Sequence, residues 1–183
     1  MFKIREALAA DLPAITSIYA DCVLNDTATY ELEAPDVAEM TKRFETITAN
    51  GYPYIVAEDE NGGVLGYAYA SAFRGRPAYN WLVEDSIYLA PAARGKGIGK
   101  ALLKALLERC SALGFRQMTA VIGGASAGSI AVHTSLGFEH CGLLKASGFK
   151  HGKWLDTVFM QIAMGEGDTT LPDPKAYPGK LYK

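Results

Sequence analysis

Arg94-Gly95-Lys96-Gly97-Ile98-Gly99-Lys100 is the stretch on which the fold turns. It stands between Trp81 to Leu89, which reads as a strand, and a segment whose Ile98, Leu102, Ala105, Leu106 and Leu113 mark the buried side of a helix. A strand entering a helix through such a turn aims several main-chain N–H groups at one point, and the helix dipole adds to their pull on an anion. Glycine suits the turn because a Cβ would hold a pyrophosphate away from the amides and oppose positive φ values. Three glycines alone also fit an ordinary strand-to-helix turn, so spacing has to narrow the reading. A Walker A loop needs a glycine five residues before Gly99 and Ser or Thr after Lys100, and neither is present. The dinucleotide fingerprint fails too, because Gly95, Gly97 and Gly99 are spaced by two throughout. Something other than ATP or NAD is indicated.

Working outward, Phe2 and Ile4 alternate with charged neighbours as a short strand. Asp11 then offers an N-cap, with Pro13 in the first turn of a helix running to Val23. Asp36 with Glu39 opens a second helix, carrying Val37, Met40, Phe44 and Ile47 and stopped by Asn50-Gly51. Tyr54 to Ala57 and Val64 to Ala70 flank the turn-rich Asp59-Glu60-Asn61-Gly62-Gly63 as an antiparallel pair. After the glycine turn and its helix, closed by Gly114, come a strand at Met118 to Ile122 and a short helix from Ser129 to Leu136. Strands at Phe138 to Leu144 and Lys153 to Ile162 complete the set. The order β-α-α-β-β-β-α-β-α-β-β describes one α/β domain over residues 1–164. The polar, proline- and glycine-containing tail 165–183 reads as an extended or loosely attached appendage.

Composition bounds the partners. A chain of 183 residues with 49% hydrophobic and 21% charged residues has the makings of a single packed core. A net charge of −2 gives no basic excess for nucleic acid. Cys22, Cys110 and Cys141 are odd in number and far apart, and each lies in an apolar stretch. They read as small buried hydrophobes in a reducing compartment, with neither disulfides nor zinc expected. No apolar run approaches the ~20 residues of a membrane span and no signal-peptide core is visible, so a cytoplasmic protein without membrane partners is expected.

Arg94-x-x-Gly97-x-Gly99 resembles the Arg/Gln-x-x-Gly-x-Gly/Ala signature of the GNAT superfamily of N-acetyltransferases, and the order of elements is similar to that fold's. Three further stretches resemble its phosphinothricin/methionine sulfone acetyltransferase group: Ala78 to Leu89, Val132-His133-Thr134-Ser135-Leu136-Gly137-Phe138, and Gly148 to Asp156. The resemblance covers about Phe2 to Ile162. It implies a mixed central sheet, flanked by helices and splayed between its fourth and fifth strands, with acetyl-CoA as acetyl donor, no metal, a small-molecule amine as acceptor and a homodimer.

Residue by residue, the resemblance implies that Ile87, Tyr88 and Leu89 meet the pantetheine arm by main-chain groups. Arg94, Gly95, Lys96, Gly97, Ile98, Gly99 and Lys100 would hold the pyrophosphate. Ser126, where the superfamily usually has asparagine, and Ser129 would add contacts to the coenzyme. Period two sets Glu84 on one face with Ser86 and Tyr88 and turns Asp85 away, so Glu84 is favoured as the base that frees an amine of its proton. His133 occupies the place where many members carry a tyrosine acid, and imidazole can donate a proton near neutral pH. Tyr30, Glu33, Arg74, Arg76 and Tyr79 are candidates for the acceptor side. Glu31 departs there from the group's usual basic residue, which leaves the acceptor open among amino-acid analogues, ordinary amino acids, polyamines and protein amines. A coenzyme-binding sensor without turnover is the remaining alternative.

Overall fold

A computed structural model describes residues 1–175; the end of the tail, 176–183, lies outside the described residues. Seven strands form one sheet in the order β1-β2-β3-β4-β5-β7-β6. They are β1 (Phe2–Glu6), β2 (Tyr54–Asp59), β3 (Val64–Ala72), β4 (Leu82–Leu89), β5 (Gln117–Gly123), β6 (Glu139–Lys150) and β7 (Lys153–Ala163). The helices are α1 (Leu12–Asn25), α2 (Val37–Ala49), α3 (Ile98–Ala112) and α4 (Ala127–Thr134). Every neighbouring pair is antiparallel except β4 and β5, as the crossover through α3 requires.

Each face of the sheet buries its own cluster. On one side Ile15, Tyr19 and Val23 of α1 and Met40 of α2 cover Tyr54, Val56 and Tyr67. On the other, Leu102, Leu103 and Leu106 of α3 pack on Ile55, Ala68, Val83 and Met118. The helical stripes read from the sequence are therefore the buried ones, and removing this apolar surface from water drives the assembly.

Four local details differ from expectation. Asp11 sits at the entrance of α1 but does not cap it: its carboxylate is taken by the Arg5 guanidinium at 2.7 and 2.8 Å and by the Leu8 amide. α4 starts two residues earlier than expected, because the Ser126 side chain accepts the Ser129 amide and draws Gly128 into the first turn. β6 runs on to Lys150 through two irregularities and returns as β7 across His151-Gly152. Both turn residues have positive φ, 51° and 73°, as a tight hairpin of this hand needs. Because β6 is an edge strand with little covering it, Cys141 is exposed, whereas Cys22 and Cys110 are buried as expected.

The tail is fastened at its start. Arg116 donates to the carbonyls of Gly167 and Leu171 and pairs with Glu166, which ties the first residues after β7 to the entrance of β5. This part is less loose than its glycines and prolines suggest.

Candidate active site

The parallel ladder between β4 and β5 has four pairs, Leu82 to Asp85 against Gln117 to Ala120, and then stops. On its other edge β4 stays paired with β3 as far as Leu89. Ser86 to Leu89 therefore present main-chain groups on the β5 side that no strand takes up, and Val121 to Gly123 face them across a widening gap. Two adjoining cavities of about 240 and 270 Å³ fill it, sharing Ala28, Ile87, Tyr88, Ser126, Ser129 and His133. An unpaired strand edge beside a narrow cleft is suited to an extended ligand bearing amide groups.

At one end of the gap lies the glycine turn. Gly95 and Gly97 hold φ of 73° and 78°, a region costly for other residues, and nothing stands within 4 Å of where their Cβ atoms would be. Conformation, not crowding, selects glycine here. Gly97 is the N-cap of α3, whose first-turn amides have no partner within the helix. Ile98 points into the core, so only its backbone can serve a ligand, while Lys96 and Lys100 are exposed. The Arg94 guanidinium lines the cavity but turns toward α1, 3.3 Å from Asp26 and 3.7 Å from Asp21. These residues fit a pyrophosphate-bearing coenzyme: backbone donors, open space above two glycines, and cations at the rim.

Glu84 lines the other cavity from the face of the sheet that α1 and α2 cover, at the ladder position paired with Ser71 of β3. Burial pushes its carboxyl up to about 7, the neighbouring Asp85 charge adds to the rise, and Arg74 opposes it. A carboxyl poised there is suited to exchange a proton near neutral pH. On the opposite face Asp85 meets His133, Oδ2 to Nε2 at 3.1 Å, and His133 Nδ1 lies 2.7 Å from the Ser129 carbonyl. Period two thus sorts the adjacent carboxylates correctly, but the pairing of Asp85 with a residue 48 positions away has no signature in the sequence.

The loop between α1 and α2 closes the acceptor side. Tyr30 contributes its ring to the cavity wall, while its hydroxyl accepts the Gly124 amide at 3.1 Å and meets the Asp156 carbonyl at 3.1 Å and Thr157 Oγ1 at 2.8 Å. Gly148 is needed beneath that ring, since a Cβ there would lie 2.6 Å from it. Lys150, only 4% exposed, donates to the Thr29 carbonyl at 2.8 Å. Glu31 turns from the gap to Arg43, at 2.6 Å, and accepts the Tyr19 hydroxyl at 2.8 Å. Arg74, stacked 4.2 Å above the Phe73 ring, acts on Glu84 electrostatically, and Tyr79 packs edge-on against the same ring. Arg76 and Glu33 are exposed, and neither lines the cavities. Asp85, Thr29, Lys150 and Thr157 belong to the site without having stood out in the sequence; of these only Asp85 had been assigned a face, the one away from Glu84.

A profile of the acetyltransferase (GNAT) domain matches residues 4–159. The chain is 47% identical over 164 residues to the phosphinothricin N-acetyltransferase of Alcaligenes faecalis, covering 89% of this chain and 83% of that one. It is 44% identical over 160 residues to the L-methionine sulfoximine/L-methionine sulfone acetyltransferase of Pseudomonas aeruginosa, with 87% and 93% covered. Among solved structures, a GNAT superfamily phosphinothricin acetyltransferase from Sinorhizobium meliloti in complex with acetyl-CoA superposes with a TM-score of 0.97. Its identity is 65%, with 100% of this chain and 98% of that one covered. With its splayed sheet, glycine turn and matched length, the chain belongs to the GNAT family of acetyltransferases.

Proposed function

We propose that this enzyme transfers the acetyl group of acetyl-CoA to the α-amine of a small amino-acid analogue of the phosphinothricin, methionine sulfone or methionine sulfoximine type, directly within a ternary complex. The observation that carries the reading is Glu84, a half-buried carboxyl raised to about 7 on the wall of the cavity where the β4–β5 ladder ends. Acetyl-CoA, when bound, supplies an activated acetyl thioester. Glu84 takes the proton that the acceptor's ammonium must shed before its nitrogen can attack. The unpaired edge from Ser86 to Leu89 orients the pantetheine arm, and the N–H of Tyr88 or Leu89 supplies a donor to the acyl oxygen. Both ring nitrogens of His133 are engaged, so any proton it gives to the departing thiolate has to leave one of those bonds.

The names of the two relatives support the acceptor class, and Arg74, whose charge reaches Glu84 on the cavity wall, offers a cation for a carboxylate or phosphinate. Glu31 was the feature favouring another amine, and its carboxylate is spent on Arg43 and Tyr19. The reading also places the protein in the cytoplasm as a homodimer. Among the described residues no helix is long and apolar enough to cross a membrane, and Leu143, Leu144, Phe149 and Trp154 are exposed apolar side chains on the β6–β7 hairpin.

Incubating the protein with acetyl-CoA, a panel of amines and a thiol reagent tests the proposal. CoA release with phosphinothricin or methionine sulfoximine is expected; release restricted to polyamines or peptides sinks the acceptor, and tight binding without release sinks the reaction. Glu84→Gln is expected to lower kcat by roughly 10²–10⁴-fold with acetyl-CoA affinity nearly unchanged. Activity falls as pH drops through about 7, where Glu84 becomes protonated. Stability moves the other way: a carboxyl raised in the folded state stabilises below its unfolded value, and that contribution is lost as pH rises through about 7. Glu84→Gln therefore raises Tm by a few degrees at pH 8 and leaves it unchanged at pH 4, as read by thermal denaturation.

A further inference from the structure

A third cavity, of about 300 Å³, lies between α2 and the strands β2 and β3, on the sheet face that carries Glu84. Its wall is built largely of tyrosines. Tyr54, Tyr67 and Tyr69 stack as near-parallel rings with centroids 5.0 to 6.4 Å apart, and Tyr19 of α1 and Ser71 of β3 extend the lining. Arg43 of α2 lines it too, held by Glu31 at 2.6 Å and Glu39 at 2.9 Å.

This cavity and the one lined by Glu84 have no residue in common, yet they back onto each other at three pairs, each with one member in either cavity. Ser71 is the ladder partner of Glu84, Tyr69 that of Ser86, and the hydroxyls of Tyr19 and Thr29 meet at 3.0 Å. Ser71 and Glu84 are both half-buried. Directly paired residues on one face of a sheet stand about 5 Å apart at Cβ. An amine delivered to Glu84 therefore has Ser71, and the tyrosine-lined space beyond it, within reach of a side chain of methionine length.

Tyr67 gives that space a polar requirement. It is buried, and its hydroxyl has no hydrogen-bond partner among the described residues, an arrangement folded proteins seldom keep. Strand side chains stand off the sheet, so the hydroxyl lies at the helix end of the ring, toward α1 and α2. An oxygen arriving there would accept its hydrogen.

We propose that the tyrosine cavity is the side-chain subsite of the acceptor, taking an apolar chain of methionine length that ends in a sulfone, sulfoximine or phosphinate oxygen bonded by Tyr67. The inference rests on the acceptor being an amino-acid analogue whose amine meets Glu84. Tyrosine fits this task because its ring packs against methylenes while its hydroxyl serves the polar end. Arg43 stays cationic and adds its field for an anionic phosphinate. Glu31 then shapes the subsite from outside, since it holds both Arg43, at 2.6 Å, and Tyr19, at 2.8 Å.

The test is steady-state kinetics with methionine sulfone as acceptor for the wild type, Tyr67→Phe and Ser71→Leu. Tyr67→Phe removes only an unpaired hydroxyl, so its Tm is expected to hold or rise while the KM for methionine sulfone goes up about three- to tenfold. Ser71→Leu fills the threshold beside Glu84 and raises that KM roughly tenfold or more. The KM for acetyl-CoA is little changed in both. An unmoved methionine sulfone KM in either variant overturns the inference, as does an acetyl-CoA KM that climbs in step, because a general loosening then explains the loss. If Ser71→Leu does not fold, Tyr67→Phe decides alone. The wild type separates the two levels: no acetylation of methionine sulfone, methionine sulfoximine or phosphinothricin removes the acceptor class and the subsite with it, whereas acetylation of methionine sulfone with an unmoved KM in Tyr67→Phe removes the subsite alone.

Discussion

At the coenzyme end of the gap a seven-residue turn does its work with its own backbone, two positive φ angles and the first amides of α3. At the acceptor end, the loop from Asp26 to Asp36 takes its shape from partners far along the chain. Tyr30 is held by residues 94 to 127 positions away, Lys150 reaches Thr29 across 121 positions, and His151 reaches the Asp26 carbonyl across 125. The first end is written in local sequence; the second exists only once the sheet has formed. A ligand recognised by backbone can be shared across a family, whereas one recognised by a loop clamped from outside can change with a few contacts.

Substitutions at the two ends should therefore separate in their kinetics. The largest effect is expected from Gly97→Val, which forces a β-branched residue into a left-handed conformation at a cost of about 1–3 kcal/mol. Because no atom crowds the position, the loss should appear as a KM for acetyl-CoA raised tenfold or more in steady-state assays, with the acceptor KM within about twofold. Equal damage to both constants would show that the ends are not independent. Next comes Tyr30→Phe, which takes the hydroxyl from the Gly124 amide, the Asp156 carbonyl and Thr157. A stability loss of about 1 kcal/mol in urea denaturation and a severalfold rise in acceptor KM are expected, with coenzyme affinity little changed. The smallest belongs to Glu31→Gln. Its ion pair with Arg43 is half-exposed, so no more than about 0.5 kcal/mol is at stake, and a shift in acceptor preference over the amine panel is the measurement to make.

The same division governs what could be read without coordinates. The strand, glycine turn and helix around Arg94 were legible because periodicity and turn chemistry act over a few residues, and the sorting of Glu84 from Asp85 followed from the alternation of a strand. Cys141 misled because an apolar neighbourhood in sequence does not reveal that its strand would form an uncovered edge. Ser126 reads in the sequence as a coenzyme contact, but it also caps α4, which sets the helix start two residues earlier. Tyr30, an expected acceptor contact, puts its ring on the cavity wall, and the commitment of its hydroxyl to holding the loop had no signature in the sequence. Lys150 gave no hint of its burial, since lysine is ordinarily exposed and its place depends on β6 extending past Leu144.

The early end of the β4–β5 ladder also makes the sheet a reporter of its own occupancy. Along Ser86 to Leu89, amides directed at β3 are locked in a ladder, while those directed at the gap have no strand to bond. Hydrogen–deuterium exchange over these four residues should therefore run with a two-residue beat, slow and fast in turn. Adding acetyl-CoA should flatten the beat by slowing the fast members alone, so that the two gap-facing amides record whether the arm lies in the cleft before any acceptor is supplied.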